Sequence, residues 1–157
     1  MLNPQTFEPP LDAAWLERTL ESGIPLARHL GIRVASIDEG AIRLTAPLGP
    51  NRNHQGTAFG GSLFSLAVLT GWAWTTLLLK RGRYEADAVV QDSRIEYLAP
   101  ARGPLESVLE PPASAEVERL RRMLERSGRG RIRLDVEVRV ATLAVARFEG
   151  SFVALRR

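Results

Sequence analysis

Cysteine is absent from the 157-residue chain. That excludes a disulfide-stapled scaffold, a thiolate zinc site, an iron–sulfur cluster and a cysteine nucleophile. Histidine is scarce: His29 and His54 are the only two, too few for a multi-histidine metal centre, so no metal is expected. Lysine is nearly missing, with Lys80 alone among 21 basic residues. The others are arginines, which stay charged at every working pH and lift the sequence pI to about 10.1 although 18 acids nearly balance them. A formal charge of +3 suits a phosphate-bearing ligand but is not the basic stripe of a nucleic-acid binder, so no nucleic-acid partner is expected. The opening MLNPQTFEPP has neither a basic n-region nor an apolar h-region, so it does not read as a secretory signal and a cytoplasmic location is expected.

What remains is ordinary for a globular protein, with 45% hydrophobic and 25% charged residues. The length fits one domain over 1–157, with a helical lead-in over about 11–31. Charge is also missing from Gly60 to Leu79, a run of 20 residues. As a helix this run measures roughly 30 Å, enough to cross a bilayer. Ser62, Ser65, Thr70, Thr75 and Thr76 dilute its apolar character, and amphipathic strands flank it. Those strands need a cover for their apolar faces, so the run reads as a buried core helix and no membrane partner is expected.

Residues 11–22 carry the apolar spacing of an amphipathic helix with Asp12 as N-cap, and a short helix follows Pro25 and stops at Gly31. Strands are expected over 32–38 and 41–46 around a Glu39-Gly40 hairpin turn. After a Pro-, Gly- and Asn-rich loop the long helix covers roughly 60–80. Strands are then expected over 87–97 and 104–110, a charged helix over 114–126 with Ser114 as N-cap, and a last strand over about 143–155, bulged near Arg147–Gly150. The clearest local signal is RIRLDVEVRV at 131–140, where apolar and charged residues alternate without a break. That is a strand with one wet face in an antiparallel sheet. One apolar helix against one such sheet defines an α+β protein.

The densest polar and small-residue cluster is the loop-to-helix junction Asn51-Arg52-Asn53-His54-Gln55-Gly56-Thr57-Ala58-Phe59-Gly60-Gly61-Ser62. Here the sequence resembles the hotdog-fold thioesterases, and NHQGTAFGGSLFSLAVLTGW followed by DSRIEYLAP is most similar to the thioesterase domain of YiiD C-terminal type. The resemblance spans about residues 20–155. It implies an antiparallel sheet wrapped around one long central helix, a homodimer or dimer of dimers, and hydrolysis of an acyl-CoA or acyl-carrier-protein thioester. No cofactor is implied; coenzyme A enters only as part of the substrate.

Elementary chemistry gives these residues matching roles. Gly60-Gly61 at a helix start admits a close-lying ligand, and the free amides there favour developing negative charge. Asn53 is a candidate to orient water or thioester, or simply to shape the turn. Related enzymes carry an Asp or Glu about two and a half turns past the glycine pair, where this chain has Ala67-Val68-Leu69-Thr70. With that acid absent, His54 beside the junction is one candidate base. Asp92 is the other, because the resemblance implies that its strand pairs with the partner's copy close to the cleft, and Ser62, Thr70 and Ser93 are the candidate substrate contacts. For Asp92 an ion pair with Arg94 or a cross-strand neighbour is the competing structural reading. An acyl-thioester binding or sensing protein without hydrolysis is the alternative function. A hotdog dehydratase would need the same missing helix acid. The arginines at 119, 121, 122, 126, 129, 131 and 133 are candidate contacts for the phosphates of coenzyme A, or a salt-bridged solvated face.

Overall fold

The computed structural model describes residues 9–157, so most of the opening stretch read for a targeting signal lies outside the described residues. Helix α1 spans Ala13–Gly23, capped by Asp12, whose carboxylate accepts from Trp15 N at 2.8 Å. Its apolar spacing buries Leu16 and Leu20. Helix α2, Pro25–Leu30, starts with proline and ends at Gly31. Strands β1 (Arg33–Asp38) and β2 (Ala41–Ala46) follow. Their turn has positive φ at Glu39 (47°) and Gly40 (88°), the handedness a two-residue hairpin needs.

A 3₁₀ turn at Gly49–Asn51 and an irregular loop lead to helix α3, Gly60–Arg81. Then come β3 (Ala86–Tyr97), β4 (Leu105–Leu109), α4 (Ser114–Ser127), β5 (Arg129–Val140) and β6 (Leu143–Arg156). The six strands form one antiparallel sheet in the order β1-β2-β4-β5-β6-β3. Along β5, Ile132, Leu134, Val136 and Val138 are buried while Arg131, Arg133 and Asp135 are exposed. The buried row faces α3, which packs against β2 through β6. Two indoles pin the helix at opposite sides of the sheet: Trp74 Nε1 donates to Gly40 O (2.8 Å) and Trp72 Nε1 to Ala88 O (3.0 Å). By length and composition α3 could cross a membrane, yet 67% of its most apolar window is buried inside this fold.

Two local expectations are corrected. Ser114 is not the N-cap of α4: Ala113 holds that position with no side-chain bond, and Ser114 is the first helical residue. Nor is β6 bulged at Arg147–Gly150, where pairing is continuous on both sides. The irregularities lie at Gln91 in β3 and near Val145, opposite the Val138–Arg139 step. The first of these decides which way Asp92 points.

Candidate active site

The junction folds because Asn53 ties it. Its Oδ1 accepts from Gln55 N (2.9 Å) and Thr57 N (3.2 Å), its Nδ2 donates to Thr57 Oγ1 (2.9 Å), and its own N donates to Thr57 O (2.7 Å). Every polar group of this side chain is therefore engaged inside the turn, so Asn53 shapes the loop in this structure. Asn51 anchors the loop from beneath. It is 2% exposed, donates from Nδ2 to Leu30 O and Pro47 O at 2.8 Å, and its backbone oxygen accepts from Phe59 N at 2.7 Å. His54 is exposed at the tip of the turn and makes no hydrogen bond among the described residues. His29 is exposed on α2.

Helix α3 begins without a side-chain cap. The amides of Ser62 and Leu63 both reach Phe59 O, whereas those of Gly60 and Gly61 have no acceptor among the described residues. Tyr97 donates from its hydroxyl to Gly60 O at 3.0 Å, and its ring lies 3.3 Å from where a Gly60 Cβ would stand. At Gly61 a Cβ would run into the Phe59 ring. A side chain at Gly61 would require the Phe59 ring to move, and one at Gly60 would press on the Tyr97 ring. Both rings are more than half exposed, so the two amides sit at an open, aromatic-walled helix start that an anionic oxygen can reach.

Phe64, Ser65, Val68 and Trp72 form a stripe on α3 that the sheet leaves half-buried. With Ile24 and Leu26 from the α2 region, Val90 from β3 and Phe152 from β6, the stripe lines an apolar cavity of about 260 Å³. Ser65 is the only polar side chain among its lining residues, and none of them is titratable. The groove runs along the helix from the first turn after the glycine pair.

The other sequence candidates divide. Ser62 is buried in the first turn of α3. Thr70 does not reach the groove: it is fully buried, donates to Leu66 O (2.8 Å) and pairs with the Ser107 hydroxyl of β4 at 2.7 Å. A polar residue on a central helix is satisfied here by another buried hydroxyl, and its part is structural. Replacing Thr70 by valine should strand the Ser107 hydroxyl and lower stability by about 1–3 kcal/mol, with Ser107→Ala added on top restoring most of it. Urea denaturation of the three variants checks this. Ser93 pairs with Gly150, which pairs with Leu134, and so faces the helix side of the sheet. Asp92 pairs with Ser151, which pairs with the exposed Arg133, and so faces the outer side. Within the chain, Asp92 and the Gly60–Gly61 amides lie on opposite faces of the sheet.

Carboxylates with shifted titration also lie outside the groove. The Arg133 guanidinium, bonded at 2.6 Å, holds Glu149 below the usual carboxylate range, and the Arg139 guanidinium does the same for Glu137. Both are ion pairs of the outer face. Of the arginines considered for coenzyme A, Arg119, Arg121 and Arg133 are paired with Glu116, Glu118 and Glu149, while Arg122, Arg126, Arg129 and Arg131 have no ion-pair partner among the described residues. No cluster of potential metal ligands occurs among the described residues.

Spacing alone did not reveal the groove or its aromatic rim. Phe59 and Tyr97 carry no chemistry-bearing side-chain pattern, and the half-exposed stripe of α3 is as apolar as the buried one.

A single antiparallel sheet wrapped around one long helix, with that helix opening at a glycine pair, is a hotdog-fold protein. A family model described as "Putative thioesterase (yiiD_Cterm)" matches residues 13–156, and the chain belongs to that family. Among solved structures, it is similar to a protein of unknown function from Chlorobaculum tepidum TLS (TM-score 0.87, 27% identity, 92% of this chain and 94% of that one). It is also similar to a putative thioesterase from Shewanella oneidensis (TM-score 0.79, 28% identity, 91% and 96%). A Pseudomonas aeruginosa structure, PA5026, shares the fold at 21% identity (TM-score 0.80, 94% and 98%).

Proposed function

We propose that this protein hydrolyses the thioester between an apolar acyl group and coenzyme A or a carrier protein, as a homodimer. The observation that carries the reading is the pair of unpartnered amides, Gly60 and Gly61, opening beside an apolar groove. In this reading the thioester oxygen lies at the amides and the acyl chain in the groove. Water adds to the carbonyl carbon, and the negative charge that develops on oxygen is held by the amides and the helix dipole. The carbon–sulfur bond then breaks, and the thiolate leaves with little acid assistance because thiol pKa values lie near 8.5. His54 is the candidate acceptor for the water proton. The groove is lined almost wholly by apolar side chains of α3, β3 and β6, which suits an aliphatic or aromatic acyl group.

A second reading, binding without hydrolysis, is favoured by the absence of any titratable side chain from the groove lining. A panel of acyl-CoAs from two to sixteen carbons, followed by thiol release and by calorimetric binding, separates the two. The hydrolase reading expects kcat/KM to rise from the two-carbon chain to longer chains that occupy the groove, and His54→Gln to lower kcat by about 10²-fold or more. Tight binding without thiol release would establish the second reading. Neither binding nor release would overturn both.

A further inference from the structure

Each of the two free amides at the start of α3 belongs to a peptide whose carbonyl oxygen is already engaged. The Gly60 N–H shares its peptide with Phe59 O, which accepts from Ser62 N (2.9 Å) and Leu63 N (3.1 Å). The Gly61 N–H shares its peptide with Gly60 O, which accepts from the Tyr97 hydroxyl at 3.0 Å. In a trans peptide the C=O and N–H point in opposite directions within one plane, so a bond that holds the oxygen also fixes where the N–H aims. It polarises the unit as well. Electron density drawn toward the carbonyl oxygen makes the N–H a stronger donor, by about 10–30% per bond. The helix itself polarises the first peptide. The second depends on a side chain from β3.

Tyr97 is held in place to make that bond. Its backbone pairs with Ala146 of β6, and the next two residues donate from Leu98 N (2.9 Å) and Ala99 N (3.4 Å) to Val145 O. Further on, Ala101 O accepts from Ala58 N at 2.8 Å, which ties the chain after β3 to the loop before the helix. A carbonyl oxygen has two lone pairs, so Gly60 O can serve the helix and Tyr97 together. Tyr97 is 54% exposed, so burial does not force its hydroxyl back onto the helix. A bond that merely replaces water at an exposed hydroxyl adds little to stability. Its larger consequence falls on the Gly61 N–H, which has no acceptor among the described residues and opens beside the apolar groove.

We infer that Tyr97 is a positioning residue whose hydroxyl, acting through the Gly60–Gly61 peptide, aims and strengthens the Gly61 N–H toward an oxygen that gains negative charge. Hydrogen bonds to a charged acceptor are about twice as strong as neutral ones, so the aid grows as charge develops on the thioester oxygen. Tyr97 therefore acts on the transition state more than on the bound thioester. The kinetic consequence rests on the hydrolase reading; the polarity of the Gly61 N–H does not.

Tyr97→Phe keeps the ring and removes only the bond. Proton–nitrogen correlation spectra of the wild type and the variant read both amides without any turnover. The Gly61 nitrogen resonance is expected to move upfield when its own peptide loses the bond at oxygen, and the Gly60 resonance to move much less. On an acyl-CoA that the wild type hydrolyses, kcat and kcat/KM are expected to fall together by roughly 3- to 10-fold, with KM and the urea midpoint unchanged. A Gly61 resonance that stays in place would overturn the inference. So would a raised KM at unchanged kcat, the mark of a hydroxyl that contacts bound substrate directly. A wild-type protein that releases thiol from no acyl-CoA would overturn the hydrolase reading alone, and the spectra then decide the role of Tyr97 by themselves.

Discussion

One methyl group added at Gly71 is expected to cost about 1–3 kcal/mol of stability, against the usual rule for helices. Alanine in place of glycine inside a helix normally stabilises by up to about 1 kcal/mol. Gly71 lies in the middle of α3, directly under the Phe152 ring, and its Cβ would overlap Cζ of that ring. Phe152 has no exposed surface and contacts the Phe148 ring at 6.4 Å between centroids. The ring also borders the apolar groove, so the added methyl must push it toward that groove or off its rotamer, and either shift disturbs packed neighbours. The glycine is what lets helix and sheet approach at this level. The control is Gly23→Ala at the end of α1, where nothing lies within 4 Å of the added methyl; it should be neutral or stabilise by up to about 1 kcal/mol. Urea midpoints at one fixed protein concentration, with unchanged slopes, test both. Equal effects at the two glycines would contradict the packing account.

The long helix and the strands were legible because their signals are local. An uncharged run of 20 residues between alternating strands has few places to go other than the middle of the sheet. The Gly60-Gly61 start was legible for the same reason: two glycines ending a polar loop need little context. Asp92 was not. Ala86, Ala88 and Val90 point toward the helix side, and strict alternation would send Asp92 there as well. The extra residue at Gln91 shifts the period by one, so Asp92 faces outward and Ser93 inward. Nothing in AVVQDSRIEY announces that bulge. Asn53 was illegible for a different reason. An asparagine ahead of HQGT has the same letters whether its amide faces a ligand or closes its own turn, and here the turn takes every polar atom. The groove depended on strand order. Because β3 crosses to the edge beside β6, one stripe of an all-round apolar helix is left half-covered, and no periodicity records which stripe.

The largest expected change in activity comes from placing a carboxylate in that groove. Val68 is half-buried among apolar neighbours, on the segment where the resemblance leads one to look for an acid. Val68→Asp would put a carboxyl in a setting that penalises its charged form, raising its pKa toward the range useful to a general base. Within one chain the base would lie about 10 Å along the helix axis from Gly61, at 1.5 Å per residue, too far to serve a carbonyl at that start. In the proposed homodimer the base would therefore have to serve the helix start of the partner. Hydrolysis is therefore expected to rise by about 10²-fold or more, the usual contribution of a positioned base. The rate should climb with pH through a midpoint above the ordinary carboxylate range. Val68→Asn has the same shape without the titration and should show neither effect. Mixing tests the geometry: a Val68→Asp/Gly61→Val protomer pairs an intact base with a blocked helix start. Combined with wild type, it should still yield one enhanced site per heterodimer if the base acts in trans, and none if it acts in cis. A Val68→Asp dimer that folds, binds acyl-CoA and hydrolyses no faster than wild type would show that the missing acid is not what limits this protein.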